Sequence, residues 1–457
     1  LVTLITIIAW VILIYFIVLA IGYTFLLVAS FRNTYQCFVE AERCNSAILI
    51  NKNDLVPVTA IMPVYNAENR ILNAAFSVLQ SEYKNLNFII VNDGSTDKTF
   101  DILEMEFDLY AVPSVVRQKN STATITGYYK SKLHPNLVVI NKEHSGGPDT
   151  VQVGLNACRT PLYLSVDSDT VIEPLSITRL IFTFLSFTHT LVVGGAIYIL
   201  NDCTVDKGKI TRIQVPSKLI NAHQACEYLR SFIYGRSGWE SFGGAMCFPG
   251  AFTLYETQAV RDVGGYDVKN YSYDVDIIMK LHNYMRKSKY PYSIHYSPNA
   301  FAWCEEPSTF SGYWKQRNHW QRGMLRSITS HINILFNPRF GLVGFFNFPY
   351  YIVFEVFGPV IEFLSYVFVL FAWYLGIING YALILFIILA WSYSAFLTSA
   401  CILLNAITFN IYRRFSDILN MLSMTVVSMF GFRQFHALCC FASTIQYFFN
   451  RLLGRPL

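Results

Sequence analysis

The chain has 457 residues, 53% of them hydrophobic and 14% charged, with a formal net charge of +5. A mean hydropathy of +0.36 is too apolar for an ordinary soluble protein and too polar for a bundle wholly buried in lipid. The modest positive charge gives no sign of a nucleic-acid partner.

The average hides a segregation along the chain. Leu1 to Phe31 contains no charged residue, and at about 1.5 Å rise per residue it is long enough to cross a hydrocarbon core of about 30 Å. It is too long for a cleaved signal peptide and lacks a charged leading region and a small-residue cleavage site, so a transmembrane helix is predicted over 1–31. The first residue is Leu rather than Met, and a gene product longer than this chain is expected. Residues 57–339 have the composition of a soluble domain. From Phe340 to Arg413 the only acids or bases are Glu355 and Glu362, and residues 340–457 are predicted to form transmembrane and interfacial helices. Arg32, Arg413, Arg414 and Arg451 flank apolar segments. Such cations collect on the cytoplasmic side, which places the soluble domain in the cytoplasm of a multi-pass protein of the plasma or inner membrane. The ten cysteines form no CxxC pair, so buried, reduced thiols are expected.

Within the soluble domain, "VTAIMPVYNAE" (Val58 to Glu68) is an apolar strand followed by a helical pattern to Gln80. "NFIIVNDGSTDKT" (Asn87 to Thr99) repeats the plan, with Ser95 or Thr96 as helix cap. "NLVVINKEHSGGPDTVQVGLNAC" (Asn136 to Cys158) does so again, and "PLYLSVDSDT" (Pro161 to Thr170) ends a fourth strand on acids. Strands alternating with helices predict an α/β fold with a parallel sheet. Ligands bind beyond the carboxyl ends of such strands, where Asp93, Asp167 and Asp169 fall. Tyr110 to Pro135, rich in Lys, Ser, Thr and Tyr, reads as an insertion or flexible loop.

Three stretches carry chemistry. In "SVDSD", side-chain alternation along a strand would turn Asp167 and Asp169 to the same crevice. Hard divalent cations take one or two carboxylates plus phosphate oxygens and water, so the pair suits a metal-bound diphosphate; the plain alternative is a helix N-cap. "YSYDVDIIMKL" (Tyr271 to Leu281) sets Asp274 and Asp276 before a helical pattern. An acidic first turn facing the helix dipole accounts for Asp276, and Asp274 is the catalytic candidate. In "QRNHWQRG" (Gln316 to Gly323), residues Gln316, His319, Trp320 and Gly323 share a helix face, with Arg317 one step round. Interfacial anchoring accounts for Trp and Arg but not for Gln and His. That face offers donors for phosphate oxygens and an indole for a sugar ring.

Taken together, "PVYNAE", "VNDGSTD", "SVDSD", "YD" and "QRNHW" resemble, in order, the motifs of family-2 membrane glycosyltransferases. That group contains cellulose, chitin, hyaluronan and poly-N-acetylglucosamine synthases. "FPGAFTLY" (Phe248 to Tyr255) is similar to its acceptor-side loop, and "GGYD" (Gly264 to Asp267) to the lead into its base-bearing segment. The resemblance implies a nucleotide-sugar-binding, Rossmann-like domain of the family-A glycosyltransferase type, set between an N-terminal transmembrane helix and a C-terminal membrane block. It implies that Tyr65, Glu68 and Asp93 bind the nucleotide of a UDP-sugar, with Asp93 on the uridine. It implies that Asp167 and Asp169 hold the diphosphate through Mg2+ or Mn2+. Asp274 would be the general base, and Gln316, Arg317, His319 and Trp320 would close on the pyrophosphate and the terminal acceptor sugar. The partners implied are the donor, the growing polysaccharide, the lipid bilayer, and accessory or secretion subunits.

Three positions depart from the family pattern: Tyr273 where a Glu usually precedes the base, His319 where an Arg precedes Trp, and Pro148 where a Lys follows the glycine pair. Charge-assisted hydrogen bonds contribute about 1.5–3 kcal/mol each, so each departure bears on activity.

In the membrane block, Pro349 and Pro359 interrupt the apolar run. Phe345 to Gly358 reads as partly interfacial, Pro359 to Gly376 and Tyr381 to Thr408 as spans, and Leu419 to Phe449 as a short hairpin or interfacial helices. Glu355 and Glu362, on one helix face, line a channel or form a structural pair.

The reading that results is a processive, inverting transferase that elongates and translocates a β-linked polysaccharide from a UDP-sugar. The alternatives are a non-processive transferase to a lipid carrier and a catalytically degenerate, nucleotide-sugar-binding subunit. His319 generates a test. An ordinary imidazole titrates near 6.5 whereas a guanidinium stays charged, and a neighbouring diphosphate favours the imidazolium. The wild-type rate should therefore fall steeply toward alkaline pH, and His319→Arg should flatten that fall. Superimposable pH–rate profiles would remove His319 from the pyrophosphate grip.

Overall fold

The computed structural model describes residues 2–47, 56–113, 120–243, 245–270 and 272–455. It divides into a sheet-bearing unit, Tyr35–Gln214 with Phe242–Glu306, and a helical unit, Leu1–Thr34, Val215–Ser241 and Pro307–Leu457. Segments 215–241 and 307–339, which the sequence reading placed in the soluble domain, thus pack with the helices.

The strands in chain order are β1 (Val58–Val64), β2 (Leu86–Asp93), β3 (Leu109–Ala111), β4 (Ile125–Ser131), β5 (Leu137–Lys142) and β6 (Leu162–Val166). They are followed by β7 (Thr170–Ile172), β8 (Thr190–Ile199), β9 (Thr204–Asp206), β10 (Lys209–Arg212), β11 (Phe252–Glu256) and β12 (Ser293–Cys304). Ten of them form one sheet in the order β3-β4-β5-β2-β1-β6-β11-β8-β12-β7, with β9 and β10 as a separate hairpin. The run β5-β2-β1-β6 is parallel throughout, as the strand–helix alternation predicts. Helices Ile71–Leu79, Thr99–Phe107 and Gly147–Ala157 lie on the connections between these strands. Beyond that run the sheet is mixed: β11 is antiparallel to both its neighbours, and β4 is antiparallel to β5. The stretch expected to be an insertion or loop therefore contributes β3 and β4 to the sheet edge. Its β-branched and aromatic residues, in "ITGYYKS", suit a pleated surface. Ile89, Val91, Ile140 and Val153 form a buried cluster beneath the parallel strands.

Ser95 and Thr96 do not cap the next helix. Ser95 donates instead to Asn92 Oδ1 at 2.6 Å, while the Asp97 carboxylate accepts from the Thr99 N–H at 3.0 Å and Glu68 Oε2 from the Lys98 N–H at 3.1 Å. A carboxylate serves the orphan donors of a helix start as a hydroxyl does, and complements the dipole as well.

The first helix runs Val2–Ala47, past the Phe31 limit set by the first charge, and its residues up to Thr34 belong to the helical unit. Among the described residues two stretches, Val2–Gln36 and Leu383–Thr408, are long and apolar enough to cross a membrane. Two bent pairs would add a span each: Val343–Val356 with Gly358–Tyr374, bent by 46°, and Phe415–Val427 with Phe432–Leu452, bent by 58°. The first bend falls where Pro359 occupies the opening turn of its helix, a place where its missing N–H costs nothing while the preceding helix cannot continue through it. The first helix is tied to the helix Gly380–Thr408 by Thr24 Oγ1 to Tyr393 Oη at 2.8 Å, and Tyr393 also donates to the Ala20 carbonyl at 2.5 Å. The described cysteines are all free thiols, most of them buried.

Glu362 is a structural pair. Arg433 Nε and Nη2 reach its two oxygens at 2.5 and 3.1 Å, and Tyr366 donates to the same carboxylate. Glu355 faces the charge of Arg230 and Arg236 instead. Removing one partner of a largely buried ion pair leaves the other uncompensated, at up to about 3–5 kcal/mol. Glu362→Ala should lower the unfolding midpoint in detergent clearly, and the Glu362→Ala/Arg433→Leu double variant by less. An unchanged midpoint in the single variant would show that the pair does not hold the helices.

Candidate active site

The strand order sends the ends of β1, β2, β5 and β6 to one edge, and the chemistry-bearing residues of the sheet unit follow them there. Asp93 closes β2, Lys142 closes β5, and Asp167 comes directly after β6. Asp167 and Asp169 do not sit on a strand. The Thr170 N–H donates to the Asp167 carbonyl at 3.1 Å, so the D-x-D is a tight turn between β6 and β7. Strand alternation therefore does not aim these side chains; the turn does.

β7 pairs with the end of β12, with Thr170 opposite Cys304. That pairing brings the next two residues, Glu305 and Glu306, beside the turn. The Glu306 N–H donates to Asn201 Oδ1 at 2.8 Å, and Asn201 Nδ2 donates to the Glu306 carbonyl at 2.9 Å, which pins the segment. Burial, then the charges of Asp169, Asp274 and Glu306, push the Asp167 carboxyl up to about 8. Asp169 is also raised by burial, against the opposing pull of Arg70, whose guanidinium lies 3.5 Å away. Neighbouring carboxylates taken out of water cannot all ionise without a cation.

Asp93 lies in the opposite electrostatic setting. It is 2% exposed, as is Lys142, which donates to Asp93 Oδ1. Lys142 also reaches Ser145 Oγ at 2.5 Å, the Glu143 carbonyl at 2.8 Å and Asp149 Oδ2 at 3.1 Å. The Ser145 and Gly146 N–H groups donate to the two Asp93 oxygens at 3.0 and 2.9 Å. Burial alone would raise Asp93, but Lys142 and the two backbone donors outweigh it and hold the carboxyl below its usual range. Beside this network Tyr65 stacks on His144, centroids 4.2 Å apart and planes at 25°. Tyr65 and Asp93 are thus joined through the loop after β5, while Glu68 serves the helix cap described above.

Asp274 and Asp276 occupy the first turn of the helix Tyr273–Ser288, about 200° apart around its axis. Asp276 is 2% exposed and paired with Lys280 at 3.2 Å. Asp274 faces Gly250, and a Cβ built there would lie 3.2 Å from Asp274 Cβ and 3.4 Å from its Oδ2. Beneath them, tyrosines form a floor. Tyr273 meets Tyr266 edge-on at 5.5 Å, Tyr266 and Tyr163 share a hydrogen bond of 2.6 Å, and Tyr163 stacks on Tyr255 at 5.1 Å. Burial, reinforced by Asp167 and Asp274, keeps the Tyr273 phenol protonated. The turn that carries Tyr266 requires Gly265 at φ +71°, where a Cβ would fall 2.1 Å from Gln152 Oε1; that oxygen accepts the Tyr266 N–H at 2.9 Å.

Gln316, Arg317, His319 and Trp320 lie on the helix Phe310–Ser330 of the helical unit. Arg317 is on its inner face, 7% exposed, and bonds Glu227 at 2.9 Å. Its guanidinium stands 4.7 Å over the Tyr313 ring and 4.4 Å over Trp320. Burial alone would raise Glu227, but His223 and Arg317 hold it well below the usual carboxylate range. Arg317 is therefore engaged inside its own unit, whereas His319 is exposed and Gln316 and Trp320 are half-buried.

Residues 59–264 match glycosyl transferase family 2, and residues 164–432, more than half of the chain, match glycosyl transferase family group 2. The chain belongs to glycosyl transferase family group 2. Similar curated proteins include a poly-beta-1,6-N-acetyl-D-glucosamine synthase of Staphylococcus epidermidis, 25% identical over 63% of this chain and 60% of that protein. The protein of the same description from Staphylococcus aureus is 26% identical over 60% of this chain and 56% of its own length. The chain thus spans less than two thirds of these relatives. Among solved structures, the mannosyltransferase PcManGT from Pyrobaculum calidifontis, in complex with GDP-Man and Mn2+, is 12% identical. It aligns over 95% of this chain and 99% of its own, with a TM-score of 0.51, a likeness of fold.

For this family member, three site features escaped sequence reasoning. Arg70 carries no motif signal. Lys142 and Asp149 become a network only through the loop between them. Glu305 and Glu306 did have a signal, a second pair of acids at a strand end. Pro148, one of the departures, is buried in the opening turn of the helix Gly147–Ala157, a position that suits proline.

Among the described residues no three His, Cys, Asp or Glu side chains are grouped as a metal site. The fit to a divalent cation rests on the donor set: Asp167 and Asp169 are hard oxygen ligands whose mutual repulsion a cation relieves, with phosphate and water completing the shell.

Gly250 generates the test for this site. Gly250→Ala pushes directly on Asp274 without touching the β6–β7 turn. If Asp274 takes part in the chemistry, turnover should fall several-fold while nucleotide affinity stays within about twofold, because catalysis depends on the placement of the reacting groups. Unchanged turnover would separate Asp274 from the chemistry.

Proposed function

We propose that this chain is a membrane-embedded transferase that builds a β-linked polysaccharide from a UDP-sugar at the cytoplasmic face, processively, and passes the product through its helical unit. The observation that carries the reading is the meeting of Asp167, Asp169 and Asp274 at the carboxyl edge of the sheet in a family-group-2 chain. The likeness to poly-beta-1,6-N-acetyl-D-glucosamine synthases supports a β-polysaccharide, and the long apolar helices support a multi-pass membrane protein.

In this reading Tyr65 and the Asp93–Lys142 network position the nucleotide, and Asp167 and Asp169 would hold Mg2+ or Mn2+. The metal, when bound, offsets the charge that develops on the leaving UDP. Asp274 takes the proton from the acceptor hydroxyl as that oxygen attacks the anomeric carbon. The bond from that carbon to the diphosphate oxygen breaks on the opposite side, and inversion of an α-linked donor gives a β-linkage. Positioned base catalysis contributes about 10²–10⁴-fold. Asp274 suits the task by its place, at the first turn of its helix and facing Gly250. The Tyr273 phenol, protonated beside it, is a neutral neighbour where an acid is usual. Trp320, half-buried against Arg317, offers a stacking face for an acceptor sugar.

The test is product analysis of the purified full chain against radiolabelled UDP-sugars. A polymer from one donor is expected, with Asp274→Asn retaining UDP binding but losing most turnover and Asp276→Asn mild. A single sugar on an extractable lipid would end the processive reading, and the reverse ranking of the two variants would move the base.

A further inference from the structure

Arg70 is the residue before the helix Ile71–Leu79, and no side chain caps that helix. Nothing local accounts for an arginine there. The position favours Ser, Thr, Asp or Asn, and a cation sits badly at the positive end of a helix dipole. What Arg70 faces is the acidic edge: its guanidinium lies 3.5 Å from Asp169 and 3.9 Å from Glu305. Both separations exceed the roughly 2.7–2.9 Å of a tight charge-assisted hydrogen bond, and the Arg70 side chain is 46% exposed. A long, half-solvated side chain held at such distances changes partners easily. Lys142, fully buried and bonded on all sides, does not.

We propose that Arg70 is an exchangeable counter-ion. It neutralises Asp169 while no divalent cation is bound and releases Asp169 when one arrives, its guanidinium passing to Glu305 or to the oxygens of the incoming diphosphate. The inference rests on the metal reading of Asp167 and Asp169 given above. The consequence is an order of events. Metal alone competes with Arg70 and binds weakly. Metal accompanied by a nucleoside diphosphate gives the displaced guanidinium an anion to bind, so the two ligands bind more tightly together than apart. Arg70 acts through Asp169, as a positioning residue.

The experiment is Mn2+ titration of the purified full chain, free metal being read by electron paramagnetic resonance, first alone and then with UDP. Wild type is compared with Arg70→Ala, Arg70→Lys and Asp169→Asn. An ion pair this exposed adds little to fold stability, so the Arg70 variants fold. Arg70→Ala should bind Mn2+ about three- to tenfold more tightly than wild type without UDP, the order expected for removing one charge a few ångströms away in a partly solvated site. Arg70→Lys should stay within about twofold of wild type, and the gain in Arg70→Ala should vanish or reverse once UDP is present. Mn2+ binding that is unchanged or weaker in Arg70→Ala without UDP overturns the exchange while leaving the metal reading intact. Wild-type protein that binds no Mn2+ with or without UDP, or Asp169→Asn that binds as wild type does, overturns both.

Discussion

The accumulation of negative charge at one edge of the sheet is the constraint from which the rest of the site follows. Parallel strands deliver their carboxyl ends to the same side, and here that side receives Asp93, Asp167, Asp169, Asp274, Glu305 and Glu306. Carboxylates brought together out of water must be protonated, paired or bound to a cation. The protein applies different solutions along the edge. At Asp93 a buried lysine and two backbone donors fix the charge permanently. At Asp167 burial and the neighbouring acids favour the protonated form, whose proton a cation would displace. The edge is thus locked as an ion pair at Asp93 and held by a proton and a half-exposed arginine at Asp167 and Asp169.

The helical unit obeys the same rule in a more apolar setting. Its internal charges come in pairs, Glu227 with Arg317 and Glu362 with Arg433. Arg317 shows how this alters the reading of a motif. By residue type it suits a diphosphate. Once folded it ties the helix Phe310–Ser330 to the helix Leu219–Leu229 and forms a cation–π stack with Tyr313 and Trp320, each such contact contributing about 0.5–2 kcal/mol. The other motif residues, Gln316, His319 and Trp320, are less buried than Arg317 on the same helix.

The departures from the family pattern take on structural meaning in the same terms. Tyr273 removes one negative charge from an edge that already has too many, and continues a floor of tyrosines beneath Asp274. Pro148 opens a helix whose next residue, Asp149, is already paired with Lys142. Neither change leaves a buried charge unmatched, which argues for a site altered in detail over one that has decayed.

The amino-acid chain alone specifies the alternation of strand and helix, the parallel core, the long apolar helices and the acids at the strand ends. These are local signals, carried by periodicity and by residue type next to turns. It did not determine that β3 and β4 extend the sheet, that the D-x-D is a turn, or that segments 215–241 and 307–339 pack with the helices. Those outcomes depend on pairing between residues far apart in the chain, for which no local pattern exists. The same division runs through the site. Asp93, Asp167, Asp169 and Asp274 were legible one by one. Glu305 and Glu306 carried the same signal, acids at a strand end, but Arg70 and Lys142 carried none, because an ion's role is set by the charges around it, and long-range packing sets which charges those are.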